Sequence, residues 1–224
     1  MATYPNVIAP KFEEVFRTDF RLKGRWKEEV FGNDRPLVLE LGCGKGEYTV
    51  ALARKYPEKN HIGVDIKGSR IWVGATDALQ NHLTNVAFLR TRIEFITSSF
   101  APGEISEIWV TFPDPQPQES RINKRLTSAR FLQSYREIMQ TEGIIHLKTD
   151  SQGLFDYTCK IVEMNKLIVH TRTNDLYHSG YADDILSVRT YYEKMFMDKG
   201  FTIKYLKFSI PENVSLIELP KKDG

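Results

Sequence analysis

The run Val38-Leu39-Glu40-Leu41-Gly42-Cys43-Gly44-Lys45-Gly46-Glu47 constrains this chain more than any other stretch. It is apolar except for one carboxylate, and it ends in a glycine at every second position. Such a run reads as a buried parallel strand. The glycines read as a tight turn whose backbone lets a ligand come close. Nineteen residues after Gly46 comes Asp65, closing a second apolar run, His61-Ile62-Gly63-Val64. Together they predict a nucleotide-type cofactor across the ends of the first two strands of a doubly wound sheet.

The spacing narrows the choice of cofactor. A dinucleotide fold usually shows G-x-G-x-x-G, with the helix N-terminus facing a pyrophosphate. Here Gly42, Gly44 and Gly46 make G-x-G-x-G, and Glu40 stands two positions before the first glycine. That carboxylate would repel a pyrophosphate and attract a cation. S-adenosylmethionine has no phosphate, one sulfonium, one ammonium and a ribose diol. Glu40 suits its cationic end and Asp65 its diol. The methyl donor is therefore favoured over a nicotinamide or flavin, and either over a glycine turn that holds nothing. Cys43 reads as a small residue in the turn.

With 224 residues the chain can bury a full core, as one domain or two small ones. Its 31 basic and 29 acidic residues leave a formal charge of +2, which neither demands nor excludes nucleic acid. Cys43 and Cys159 show no metal spacing and suit a reducing cytoplasm. The five histidines form no i, i+4 pair and no cluster with cysteine, so no metal is expected. No apolar signal core opens the sequence, and no stretch of about 18 apolar residues predicts a membrane span.

Two regions are expected: a basic N-terminal extension over 1–34 and an α/β domain over 35–224. In the extension, Arg17, Arg21, Lys23, Arg25 and Lys27 interleave with Phe20 and Trp26, with Phe16 just before. Two readings stay open there. The segment grips an RNA backbone and stacks on bases, or it is a solvated helix whose aromatics cap the sheet edge.

Beyond Pro36 the patterns alternate. Strands are expected at Leu37–Leu41, His61–Val64, Val86–Leu89, Ile108–Thr111, Ile144–Leu147, Leu167–His170 and Thr202–Phe208. Helices are expected at Glu47–Lys55, Arg70–His82, Arg130–Met139, Gly153–Met164 and Thr190–Lys199. This alternation predicts a mostly parallel sheet with helices on both faces, and ligands at the carboxyl ends of its strands.

After the fourth expected strand, Pro113, Pro115 and Pro117 bracket Asp114 and Gln116. Prolines fix their own backbone and extend the residue before them. Asp114 is thus rigidly displayed, as a catalytic carboxylate must be; otherwise it caps the next turn. Arg121, Asn123, Lys124, Arg125, Arg130 and Arg136 follow as candidate phosphate contacts. Asp150 ends the fifth strand, as a ligand or a helix N-cap. Glu193 closes Thr190-Tyr191-Tyr192-Glu193, as a ligand or an exposed helix charge.

Taken together, these motifs resemble the bacterial tRNA (guanine-N7-)-methyltransferase family, from about Leu37 to about Lys207. The likeness runs through Leu39–Gly46, Gly63-Val64-Asp65, Phe112-Pro113-Asp114-Pro115, Lys124-Arg125-Leu126, Lys148-Thr149-Asp150 and Thr190–Glu193. The last four in this order are the specific part. The resemblance implies a Rossmann-like class I methyltransferase with a seven-stranded sheet, acting in the cytoplasm. It implies S-adenosylmethionine as donor and guanine N7 in the tRNA variable loop as acceptor. Glu40, Asp65, Gly42, Gly44, Gly46, the position of Arg92 and Asp114 would hold the donor. Asp114 would stand between donor and base as the catalytic residue. Asp150 and Thr190, Tyr191, Tyr192 and Glu193 would hold the base, with Arg121, Lys124 and Arg125 on the tRNA backbone.

The family's proline motif usually reads D-P-W-P-K-K. Here Gln116 replaces the tryptophan, Gln118 and Glu119 replace the lysines, and Arg121 replaces a histidine. Arg92 stands where the family has an acid or amide. Its side chain only donates, so its backbone or Glu94 would accept from the adenine amino group. The alternatives are a methyltransferase of this fold acting on another RNA or a small molecule, and a non-catalytic RNA-binding or partner protein. Monomer and homodimer both stay open.

Overall fold

The computed structural model describes residues 4–212 and 214–220. The chain divides into two compact units. One runs up to Trp109 and takes in Glu137–Gln140; the other holds Val110–Arg136 and the chain from Thr141 on.

The first unit is built on parallel strands: β1 (Val7–Ile8), β2 (Leu37–Leu41), β3 (Asn60–Asp65), β4 (Val86–Arg90) and β5 (Ile105–Thr111), the last crossing into the second unit at Val110. Their lateral order is β1-β4-β3-β2-β5, all pairs parallel. Register aligns Glu40 with Gly63 on one side and Trp109 on the other. Parallel pairing puts the carboxyl ends of β2, β3 and β4 on one edge, so the glycine turn after Leu41 and Asp65 at the end of β3 meet there. Helices α1 (Glu47–Lys55), α2 (Gly68–Gln80) and the short α3 (Ile96–Ser99) complete the unit. Small and branched residues on α1 and α2, among them Val50, Ala53, Ile71, Ala75 and Ala78, pack with Val86 and Phe88 of β4. β2 and α1 have the expected limits.

Eight strands are present among the described residues, where seven are implied. The extra one is β1. Two residues carry no alternation to read, and only their pairing with Phe88 and Leu89 makes them a strand. The extension also packs into this unit. Phe20, Leu22 and Trp26 are buried; the Trp26 indole N–H donates to the Ser99 carbonyl at 2.9 Å, and its ring stacks on Phe100 at 5.1 Å. Phe20 and Trp26 therefore serve the core and not RNA bases. The segment is a chain of turns and a π-helical turn at Lys27–Phe31, not one solvated helix. Arg21 and Arg25 pair with Glu29, and Lys23 with Asp19.

His61 of β3 gives this unit a pH dependence. The ring is buried; Nε2 donates to the Tyr56 carbonyl at 3.3 Å and Nδ1 has no partner. Protonation would place an N–H with no acceptor in the core, and burial lowers the pKa from 6.5 to about 4. The depressed base adds stability above its unfolded pKa of 6.5, and that stability is lost as the pH falls through about 4. Urea unfolding from about pH 7 to about pH 4.5 should cost the native chain about 2 kcal/mol more than His61→Gln. Equal losses in the two proteins would show that His61 is not the titrating group.

The second unit holds α4 (Ala129–Ile138, as far as Arg136), β6 (Met139–Thr149, from Thr141), α5 (Gln152–Met164), β7 (Ile168–Thr173), α6 (Tyr191–Met197) and β8 (Lys204–Ser209). β8 lies between β6 and β7, antiparallel to both. β6 starts earlier than expected because its opening polar residues, Gln140, Thr141 and Glu142, are exposed and show no alternation. Ser151 caps α5 by accepting from the Leu154 N–H at 3.2 Å, which leaves Asp150 outside the cap.

Candidate active site

In the first unit the turn after β2 is made by Gly42, Gly44 and Gly46, with φ of 77°, 55° and 71°. Only glycine adopts such angles without strain. The Gly42 and Cys43 N–H groups donate to the Val64 carbonyl at 2.8 and 3.1 Å, tying the turn to the end of β3. The Gly44 N–H donates to Asp65 Oδ2 at 2.9 Å, and Asp65 Oδ1 accepts from the Lys67 N–H at 2.8 Å. Asp65 is therefore fixed at the strand end. Each of its oxygens keeps a lone pair for a further donor, such as a diol. A methyl group added at Gly44 would meet nothing within 4 Å, so this part of the turn is open to an approaching molecule.

Gly46 serves a different purpose. A Cβ there would come within 2.6 Å of the Phe88 ring, and a Cβ on Gly63 or Gly74 within 2.8 Å of the same ring. Three glycines thus surround one buried phenylalanine, which seats the turn and α2 on the sheet. The role of Gly63 and Gly74 is not legible in the sequence, since nothing in their neighbours marks the Phe88 ring on the adjacent strand, where Phe88 pairs with Gly63.

Glu40 is 2% exposed and accepts from the Thr49 hydroxyl of α1. Burial, with the nearby carboxylates of Glu40 and Asp65, pushes the Cys43 thiol well above its usual range. Cys43 is thus an inert filler. The two carboxylates and the open glycine backbone form a donor set that fits a cation bearing a diol. Arg92 stands exposed, its guanidinium 3.3 Å from Glu94 and over the Phe95 ring at 5.9 Å. The side chain proposed for the donor and its substitute acceptor are therefore paired with each other.

In the second unit Asp114 is exposed in the segment that follows β5. Its Oδ1 accepts from the Gln116 N–H at 3.1 Å, an Asx turn closed on itself. Phe112 and Gln116, on either side, hold φ of 48° and 44°, an uncommon left-handed setting for such residues. Two contacts hold them there. The Phe112 N–H donates to the Lys148 carbonyl at 2.8 Å, and Arg125 Nε donates to the Gln116 carbonyl at 3.1 Å. The Arg125 guanidinium also lies 4.3 Å over the Tyr157 ring. Arg125 thus braces the Asp114 segment, whereas Arg121 and Lys124 project from a 3₁₀ turn at Glu119–Lys124, both exposed. Arg136 donates to the Val214 carbonyl and, at 2.9 Å, to Gln133.

Asp150 is half-buried, and burial raises its carboxyl pKa against the opposing pull of the Lys204 ammonium. Lys204 Nζ itself donates to the Asp150 and Thr202 carbonyls at 2.9 and 3.0 Å. Thr190 caps α6, its hydroxyl accepting from the Glu193 N–H at 3.3 Å. Tyr191 is 54% exposed, and the Tyr192 side chain lies outside the described residues. Glu193 is not the exposed charge weighed above. It is fully buried, 2.9 Å from the equally buried Lys148 Nζ, and accepts from the Tyr177 hydroxyl at 2.5 Å. Burial lowers the Lys148 pKa and Glu193 opposes it.

Among the described residues no group of three or more His, Cys, Asp or Glu side chains could hold a metal, and no helix is long and apolar enough to cross a membrane. Residues 34–206 match a family model described as "Putative methyltransferase". The chain is 55% identical to the tRNA (guanine-N(7)-)-methyltransferase of Bacteroides thetaiotaomicron, over 97% of this chain and 86% of that protein. It is 53% identical to the protein of the same name from Bacteroides fragilis, over the same shares. Among solved structures, the 16S rRNA methyltransferase KamB aligns with a TM-score of 0.63 over 82% of this chain and 92% of that one. At 14% identity this is a likeness of fold.

Proposed function

Because the chain belongs to the tRNA (guanine-N(7)-)-methyltransferase family, we propose that it is the enzyme that methylates guanine N7 in tRNA, with S-adenosylmethionine as donor. The observation that carries this reading is 55% identity sustained over 97% of the chain. Within that frame, the target is a guanine of the variable loop, and the enzyme works in the cytoplasm, where its substrate is.

Asp65 and the open backbone at Gly44 receive the donor's ribose, and Glu40 sets the negative potential at its cationic end. The donor supplies an electrophilic methyl group on a sulfonium. Guanine N7 has an in-plane lone pair, so no protein group need remove a proton before it attacks. Positive charge then develops on the base, and a fixed carboxylate stabilises it, the inverse of an oxyanion hole. Asp114 has that role, on a segment stiffened by three prolines. Asp150 accepts from the guanine N1–H and 2-amino edge. Tyr191 is exposed and meets the base or its neighbour, while the buried Thr190 and Glu193 fix the segment. Arg121 and Lys124 carry phosphate contacts.

The test uses purified protein, the donor and tRNA transcribed without modifications. Digestion and nucleoside mass spectrometry should show 7-methylguanosine. Methyl on a different nucleoside, or none despite measured donor binding, would overturn the assignment.

A further inference from the structure

Three of the motifs assigned to the site converge on one residue that has no assigned role, Lys148, through its side chain and its main chain. Lys148 lies on β6, two residues before Asp150. Its Nζ donates to the Leu186 carbonyl at 2.7 Å, the Val188 carbonyl at 3.1 Å and Glu193 Oε2 at 3.0 Å. Its main-chain carbonyl accepts the Phe112 N–H, which starts the Asp114 turn. The ammonium also lies 5.9 Å from both the Phe112 and Tyr177 rings.

A fully buried lysine is expensive to keep charged, and apolar residues of the same volume often serve stability as well. Stability alone therefore gives little reason for a cation here. Geometry gives one. The residues from Tyr177 to Thr190 include no helix or strand, so the path of this segment depends on where its carbonyls find donors. Lys148 supplies donors to two of them and seats the Glu193 end as well.

We propose that Lys148 is a positioning residue for methyl transfer: its side chain fixes the 186–193 segment and its main chain fixes the Phe112–Asp114 turn, so one residue sets the spacing of both relative to Asp150. This rests on the tRNA reading for its substrate. It adds a residue that touches neither donor nor base.

Lys148→Met alone strands the buried Glu193 charge, so the decisive variant is Lys148→Met/Glu193→Met, which removes both charges and keeps the volume. Donor affinity and hydrogen-exchange protection of β8 report whether the fold is intact. The expected result is donor binding and β8 protection as in the native chain, faster exchange across 186–193, and a fall of about 30-fold or more in kcat/KM for tRNA, with kcat carrying part of it. Native kinetics in a folded variant overturn the proposal, whether or not 186–193 exchanges faster. Loss of β8 protection together with activity also overturns it, since the pair would then only hold the sheet. If the native enzyme itself forms no 7-methylguanosine, the tRNA reading fails, and the exchange data alone decide whether Lys148 fixes the segment.

Discussion

Asp114→Ala is expected to lower kcat for tRNA by about two to three orders of magnitude, the usual effect of removing one group aimed at developing charge. Donor affinity should stay within a few-fold, because Asp65, Glu40 and the glycine turn are untouched. Thermal stability should barely move. Asp114 is exposed, and its carboxylate closes a local Asx turn by accepting from the Gln116 N–H at 3.1 Å. The Phe112 and Gln116 backbones remain held by Lys148 and Arg125. Asp114→Asn separates charge from shape, since its amide oxygen can keep the Asx turn while the negative charge is gone. If charge stabilisation is what Asp114 contributes, Asn should be nearly as slow as Ala. An Asn variant near the native rate would mean that the turn matters and the charge does not. An Ala variant near the native rate would remove Asp114 from the mechanism. Single-turnover rates at saturating donor are the cleanest readout, because product release cannot mask the chemical step.

What could be read from the sequence, and what could not, divides along physical lines. β2 and α1 were legible to the residue because their signals are local: an apolar run, positive-φ glycines, then a helical pattern. The place of Asp65 beside the glycine turn was legible because a parallel sheet puts strand ends on one edge. Phe20 and Trp26 were ambiguous because a basic-aromatic string looks alike whether its rings meet bases or the core; Ser99 and Phe100, more than seventy residues away, decide it. Glu193 was ambiguous for the same reason, its partner Lys148 being 45 residues earlier. Asp150 and Ser151 are adjacent and both can cap a helix; only the hydrogen bond from Leu154 shows that Ser151 does so. Residues whose role comes from a distant contact carry no periodic or spacing signal.

Gly46→Ala and Gly44→Ala should fail in opposite ways, although both place a methyl group on a glycine with positive φ in one turn. At Gly44 the methyl meets nothing within 4 Å. The cost to stability is then the backbone strain alone, about 1–2 kcal/mol. At Gly46 the methyl falls 2.6 Å from Phe88 Cε1 and 3.2 Å from the Gly74 backbone. The ring cannot retreat, because Gly63 and Gly74 already approach it as closely as a hydrogen allows. Overpacking of a buried site adds about 1–3 kcal/mol to the strain, for a total of about 2–5 kcal/mol, a large share of the stability of a typical domain. Gly46→Ala should therefore melt well below the native chain and yield little folded protein. Gly44→Ala should stay folded and lose donor affinity, since the methyl occupies the open approach beside Asp65. Phe88→Leu supplies the control. By shortening the ring that clashes, it should recover part of the stability lost in Gly46→Ala and none of the affinity lost in Gly44→Ala, a coupling that a double-mutant cycle measures directly. Additive losses at 46 and 88 would mean that the glycine is there for its φ alone. Native donor affinity in Gly44→Ala would mean that the donor does not pass over this turn, and the placement of its ribose beside Asp65 would fall with it.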